Sequence, residues 1–220
     1  MKGALPPSQR AVLLDWDNTL VDTWPVIHDA MNTTLRAMGE AEWQYDETKT
    51  RVRRALREAF PDIFGARWET ARDIYYDRFQ AIHLEKLKIL PGADELLVAL
   101  AEKEFYLGVV SNKTGKYLRR ETAHLGWDRY FGRVVGAADA ARDKPAPDAV
   151  ALALEGSGIE AQDGVWLVGD TTIDMECAHN AACVPVLLRD SPPEPLEFGD
   201  FGPEMHFTDC AALTALVKKF

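Results

Sequence analysis

Four short runs of apolar residues punctuate the chain. Ala11-Val12-Leu13-Leu14 passes straight into Asp15-Trp16-Asp17-Asn18-Thr19, and Tyr106-Leu107-Gly108-Val109-Val110 into Ser111-Asn112. Val165-Trp166-Leu167-Val168 leads into Gly169-Asp170, and the fourth run is Val184-Pro185-Val186-Leu187-Leu188. Runs that are apolar throughout, with no alternation, suit strands covered on both faces of a parallel sheet. Helical spacing lies between them, as in Leu96, Leu97 and Leu100 or Ala149, Leu152 and Ala153. Strand and helix in alternation predict an α/β fold built on a doubly wound parallel sheet. Ligands of such sheets sit beyond the carboxyl ends of the strands, where three of the four runs end in polar or acidic residues.

Residues 24–89 break that rhythm with helical pattern and no strand. Ile27, Ala30, Met31, Thr34, Leu35 and Met38 keep one face, and Gly39 supplies a stop. Val52, Ala55, Leu56, Ala59 and Phe60 make a second stripe with Pro61 as its terminator. Ala71, Ile74, Tyr75, Phe79 and Ile82 make a third, and Leu90-Pro91-Gly92 returns the chain to strand and helix. The expected organisation is a core of residues 1–22 and 90–220, with an all-helical insertion, 23–89, after the first strand. Residues 191–203, rich in proline and acid, read as an irregular surface segment before a last helix near 209–218.

A chain of 220 residues can bury a core without disulfide staples. Its 47% hydrophobic and 27% charged residues exclude disordered, fibrous and rod-like classes. Thirty-five acidic against 25 basic residues leave a net charge of −10, which offers no general attraction to nucleic acid or an anionic membrane. No stretch reaches membrane-spanning length, and the first apolar run is too short for a secretory signal. Cys177, Cys183 and Cys210 have neither an even count nor a metal-binding spacing, which suits buried thiols in a reducing compartment. The expectation is a cytoplasmic protein with no nucleic-acid or membrane partner. Nothing here speaks to oligomeric state.

Four clusters could carry chemistry. Asp15 and Asp17, one residue apart at a strand end, repel each other and require a cation or a shared proton between them. One could attack phosphorus while its neighbour handles a proton, and a hard cation such as Mg²⁺ would take oxygen ligands there. The plainer explanation is an acidic turn that caps the next helix. Asp170 and Asp174, one helical turn apart, either complete a metal site or simply favour a helix N-terminus. Ser111 and Asn112 bring a hydroxyl and an amide to a strand end, where they could hold a phosphoryl oxygen. Lys144, in Lys144-Pro145-Ala146-Pro147, sits in a turn stiffened by two prolines and could neutralise a phosphate or an aspartate; most loop lysines are only solvated.

In this order the four are more specific than any one of them. Asp15-Trp16-Asp17-Asn18-Thr19-Leu20, Ser111-Asn112, Lys144-Pro145-Ala146-Pro147 and Gly169-Asp170-Thr171-Thr172-Ile173-Asp174 resemble the four motifs of the haloacid-dehalogenase-like hydrolases. The helical insertion is similar to the cap that follows the family's first motif, and the layout resembles the phosphoglycolate-phosphatase-like subgroup. The resemblance implies a Rossmann-like catalytic core and a Mg²⁺-dependent phosphatase of a small phosphorylated metabolite, acting through an aspartyl-phosphate. It implies Asp15 as nucleophile and metal ligand, and Asp17 as acid, then base, with its carbonyl on the metal. Ser111, Asn112 and Lys144 would hold phosphoryl oxygens, Asp170 would bind the metal, and Asp174 would stand behind it. Mg²⁺ and Lys144 would supply the positive charge that a dianionic ester needs beside a carboxylate. Arg53 and Arg54 are the cap candidates for gripping a substrate carboxylate or second phosphate, against the plainer reading of a solvated basic face.

Two positions depart from the subgroup. Asn18 stands where glycine is usual, and asparagine tolerates positive φ better than most residues. Ala182-Cys183 stands where Ala-Gly is frequent. Other signals fail on context. Gly156-Ser157-Gly158-Ile159-Glu160-Ala161 follows a helix and precedes a strand, the reverse of a dinucleotide fingerprint. Lys113-Thr114-Gly115-Lys116-Tyr117 lacks the remaining residues of a P-loop, and the five histidines have no metal spacing. Asp17 disfavours a true dehalogenase, because a leaving halide needs no proton, and a phosphonate hydrolase would need a cap lysine such as Lys49. The alternatives that stay open are a sugar-phosphate mutase of the same superfamily and a non-catalytic binding homologue.

Overall fold

The computed structural model describes residues 11–52 and 56–220, beginning with β1 (Ala11–Leu14) and a short β2 (Val21–Asp22). Helices α1 (Trp24–Met38), α2 (Tyr45–Arg51), α3 (Leu56–Phe64) and α4 (Trp68–Ile82) follow. The chain then runs through β3 (Lys88–Ile89), α5 (Ala93–Glu102), β4 (Tyr106–Thr114), α6 (Gly115–His124), β5 (Arg133–Ala137) and α7 (Asp148–Leu154). After these come β6 (Trp166–Gly169), α8 (Thr172–Asn180), β7 (Val184–Leu188), β8 (Met205–Phe207) and α9 (Cys210–Val217). Two compact units result, one from the described residues up to Val21 and from Ile89 onward, the other from Asp22 to Lys88.

In the first unit the described strands form a six-stranded parallel sheet, ordered β5-β4-β1-β6-β7-β8, with helices on both sides. This is the doubly wound α/β sheet expected from the alternating pattern, and the Rossmann-like core that the family resemblance implied. Every residue of β1 is at most 1% exposed, which explains the absence of polar alternation in that run. Leu13, Val110, Val135 and Leu167 pack with Ala149, Val150 and Ala153 of α7 and with Cys177 and Ala178 of α8. Burying a Leu or Val side chain of this kind contributes about 1.5–3 kcal/mol. Strand order runs outward from β1 in both directions, so the chain reverses beside the carboxyl end of β1, the usual place for a ligand.

Strands β5 and β8 were not legible in the sequence. Both lie at sheet edges, and the apolar run of β5 is only Val134-Val135, bounded by Arg133 and Gly136. Strand β4 continues four residues beyond Val110, to Thr114, through polar residues that no apolar pattern marks. In the last helix Asp209 is the N-cap, its side chain accepting from the Ala212 N–H at 2.8 Å.

In the second unit α1 buries Val26, Ala30, Met31, Thr34, Leu35 and Met38, and Gly39 closes it at φ 77°. The proposed stop at Pro61 is a correction, because Pro61 lies inside α3. Its ring removes one N–H donor, but Phe60 and Phe64 on either side are buried and meet edge to face, and that packing outweighs one lost bond. Helix α4 buries Ala71, Tyr75, Phe79 and Ile82. Asp29 of α1 accepts from Arg78 at 2.6 and 3.1 Å and from Lys86 at 2.5 Å. The Arg78 hydrogen bonds, with those of Lys86, hold its carboxyl at about 2. Arg53 and Arg54 lie outside the described residues. No helix among the described residues is long and apolar enough to cross a membrane.

Helix α8 ends at Asn180 with Ala181 as its C-cap, and the next residue, Ala182, stands at φ 58°, a left-handed conformation that an L side chain adopts only at a penalty. Glycine is the favoured residue after such a helix end. Ala182→Gly is therefore expected to stabilise the protein by roughly 0.5–1 kcal/mol, the relief of strain less glycine's greater freedom when unfolded. Chemical denaturation measures it, and an unchanged or lower midpoint would contradict the strain.

Candidate active site

The residue after β1 stays in register with β6, since the Asp15 N–H donates to the Val168 carbonyl at 2.8 Å. The turn then closes with the Asn18 N–H on the Val21 carbonyl at 2.7 Å, and Asn18 itself stands at φ 61°. Asparagine thus takes the left-handed position where the subgroup uses glycine. Trp16, between the two aspartates, is fully buried and meets Trp127 edge to face, with ring centres 5.6 Å apart.

Lys144, from the loop between β5 and α7, reaches the end of β1. Its Nζ donates to Asp15 Oδ1 at 2.7 Å and to Asp174 Oδ1 at 2.6 Å, and all three residues are buried. Asp174 is fastened on its other oxygen too, which accepts from the Thr171 N–H at 3.0 Å and the Thr171 hydroxyl at 2.7 Å. That is a capping box at the start of α8, with the carboxylate favoured by the helix N-terminus. Gly169 makes room for it: a Cβ there would overlap the Asp174 side chain. Asp170 is half-buried, and its carboxylate accepts from the Thr19 hydroxyl at 3.4 Å.

The electrostatics of this group are unbalanced. Asp15, Asp170 and Asp174 each present an oxygen, all within 4.8 Å of one another. Burial pushes the Asp15 carboxyl up to about 6, against the pull of Lys144 and with Asp174 and Asp17 adding to the rise. Burial, Asp174 and Asp15 likewise raise Asp170 well above the ordinary carboxylate range. Burial opposes the charge on Lys144, yet Asp15 and Asp174 overcome it and hold the ammonium above the usual lysine value. One ammonium faces three carboxylates, and the donors are all oxygen. Such a set fits a hard divalent cation.

Ser111 and Asn112 fall where the β4–β5 register breaks, between Val110 and Thr114. A bulge of this kind turns side chains out of the regular ladder. Ser111 is buried, and its Oγ accepts from the Lys113 N–H at 3.2 Å. The Asn112 side chain meets the backbone of Lys144. Its Nδ2 donates to the Lys144 carbonyl at 3.0 Å and its Oδ1 accepts from the Lys144 N–H at 3.0 Å, so the side chain braces the backbone that carries Lys144. Lys49 of the second unit stands over the Tyr45 ring at 4.8 Å.

Lys113 is the residue that sequence reasoning passed over. Its Nζ donates to Asp17 Oδ1 and to Glu121 Oε2, both at 2.6 Å. One signal could have found it: Glu121 falls on the buried face of α6 with Gly115, Leu118 and Thr122, where an unpaired glutamate would be very costly.

The fold and the site are thus a parallel α/β sheet with a buried aspartate–lysine–aspartate group at the end of its central strand. Residues 12–187 match the haloacid dehalogenase-like hydrolase family, and the chain belongs to it. It is 30% identical to a phosphoglycolate phosphatase of Aquifex aeolicus over 176 residues, 78% of this chain and 81% of that one. It is 26% identical to the pyrophosphatase PpaX of Listeria innocua over 214 residues, 94% of this chain and 95% of that one. A haloacid dehalogenase-like hydrolase from Streptococcus pneumoniae shares the fold with a TM-score of 0.82 at 20% identity, over 95% of this chain and 98% of that one.

Proposed function

We propose that this protein is a Mg²⁺-dependent phosphatase that hydrolyses a small phosphomonoester through an aspartyl-phosphate on Asp15. The observation that carries the reading is the buried Asp15–Lys144–Asp174 group, with Asp170 beside it and less positive charge than its carboxylates require. The similarity to a phosphoglycolate phosphatase and to a pyrophosphatase supports phosphate chemistry.

On this reading Asp15, Asp170 and the Asp17 carbonyl would hold Mg²⁺. Asp174, engaged by Lys144 and Thr171, would orient the group from behind. When bound, the cation offsets the negative charge of the phosphoryl group facing Asp15. Lys144 and Ser111 bind phosphoryl oxygens, and Asn112 sets the Lys144 backbone. An Asp15 carboxylate oxygen attacks phosphorus; the bond to the leaving oxygen breaks, and that oxygen takes its electron pair together with the proton of the Asp17 carboxyl. Asp17, now a carboxylate, removes a proton from water as the water oxygen attacks the phosphorus. The bond to Asp15 breaks, phosphate leaves, and Asp17 is protonated again. An alkoxide leaves poorly without a proton, so an acid at Asp17 favours esters over pyrophosphate. Residues 23–89 serve as the cap that selects the substrate.

The test is phosphate release from a panel of alkyl phosphomonoesters and inorganic pyrophosphate, with Mg²⁺ and with chelator. Ester hydrolysis that needs the divalent cation and stops on chelation is the expected result. Folded, Mg²⁺-loaded protein that releases nothing from any member would overturn the reading.

A further inference from the structure

Asp17 is not left to swing freely from its turn. Lys113 Nζ lies 2.6 Å from Asp17 Oδ1 and 2.6 Å from Glu121 Oε2, and the same Glu121 oxygen accepts from Trp16 Nε1 at 2.7 Å. Residues 16, 17, 113 and 121 thereby close a ring, because Trp16 and Asp17 are neighbours in the chain. Within it the Lys113 and Glu121 side chains are 5% and 1% exposed, while Asp17 is 29% exposed. The ring is anchored at its buried end and open to solvent only at the carboxyl of Asp17. Burial works against the charged form of Lys113, but Asp17 and Glu121 more than offset it and keep the ammonium above the ordinary lysine value. An ammonium has three donors and no acceptor, so it cannot take a hydrogen bond from a carboxyl proton. The carboxyl oxygen that faces it must therefore be the acceptor.

From this geometry we infer that Lys113, braced by Glu121, is a positioning residue that confines the transferable proton of Asp17 to Oδ2 and aims that oxygen at the leaving group. The inference rests on the reading of Asp17 as the acid of a phosphatase. On this reading Lys113 acts through Asp17 and is not itself a catalytic residue.

A positioned acid matters in proportion to how much its leaving group needs a proton. The experiment compares kcat/KM, which reports the steps up to transfer of the phosphoryl group, for an alkyl phosphate and for p-nitrophenyl phosphate, whose leaving group departs without a proton. Lys113→Met is expected to lower the alkyl value by roughly 10–100-fold and to leave the aryl value within about 3-fold. Because Lys113→Met leaves a buried glutamate unpaired, Lys113→Met combined with Glu121→Gln is measured beside it. The amide oxygen introduced by Glu121→Gln can still accept from Trp16, and the same leaving-group pattern is expected. In an Asp17→Asn background, adding Lys113→Met is expected to change neither value further. Equal losses on both substrates, or a raised KM with kcat kept, would overturn the inference in favour of a structural or phosphate-binding role. Parent enzyme that hydrolyses neither substrate would instead overturn the phosphatase reading itself.

Discussion

Asp15→Asn is expected to lower phosphate release by ~10⁴-fold or more, as removal of a nucleophile does, while the protein stays folded. Its second effect has the opposite sign. Asp15 titrates at about 6 in the folded protein, chiefly because it is buried, against an ordinary value of 3.8. The folded state therefore holds this proton up to a higher pH than the unfolded chain does. The contribution of Asp15 to the stability of the metal-free protein falls as pH rises between about 4 and about 6, and stays lower above that window. Asparagine has no such proton to release. In chelator at neutral pH the variant is expected to melt above the parent, and below about pH 4 the two converge. Added Mg²⁺ is expected to raise the parent's melting temperature more than the variant's, since a ligand stabilises only what binds it. Thermal melts across pH, with and without Mg²⁺, check all of this. Retained Mg²⁺-dependent turnover in Asp15→Asn would remove Asp15 from the nucleophile's role.

The second large effect is expected at Lys144. Its ammonium is shared by Asp15 and Asp174, both buried, so Lys144→Met leaves two carboxylates and the nearby Asp170 without it. Breaking a buried ion pair by deleting one partner costs about 3–5 kcal/mol, most of it the penalty of the charge left behind. Lys144 in the parent sits above the ordinary lysine value, so its contribution is complete below about pH 10 and is lost only at still higher pH. In the variant the stranded carboxylates take up protons as pH falls, and the stability gap to the parent narrows from neutral pH toward about pH 5. Turnover is expected to fall by roughly 10²–10³-fold, the scale on which one group that stabilises developing charge is felt. Denaturation midpoints at several pH values and kcat/KM measure the two effects. A stability loss that does not vary with pH would show that the site's carboxylates are not what Lys144 offsets.

The bond between Asn112 and the Lys144 backbone ties the lysine's reach to the sheet. Lys144 must meet both Asp15 and Asp174, and its position is set by an amide from the register break in β4. Asn112→Ala is expected to lower kcat/KM through the Lys144 backbone, which loses both of its hydrogen bonds to that side chain.

Local pattern was enough to mark the central strands, because β1, β6 and β7 are sheathed by helices and need apolar residues at every position. It also carried the third stripe of the helical insertion and the αL turn at Asn18, which depend on neighbours a few residues apart. Edge strands β5 and β8 were hidden, since a strand at a sheet edge need not be apolar on both faces. Pro61 misled for a related reason: the local preference for a helix end lost to the packing of Phe60 and Phe64. The pairing of distant groups came from the folded arrangement alone. Lys144 is 129 residues from Asp15, and Glu121 is 105 from Trp16. No period or spacing in the chain encodes those pairings. They follow from the strand order, which brings the ends of β1, β4 and β6 side by side, where burial leaves each charge dependent on the partner it meets.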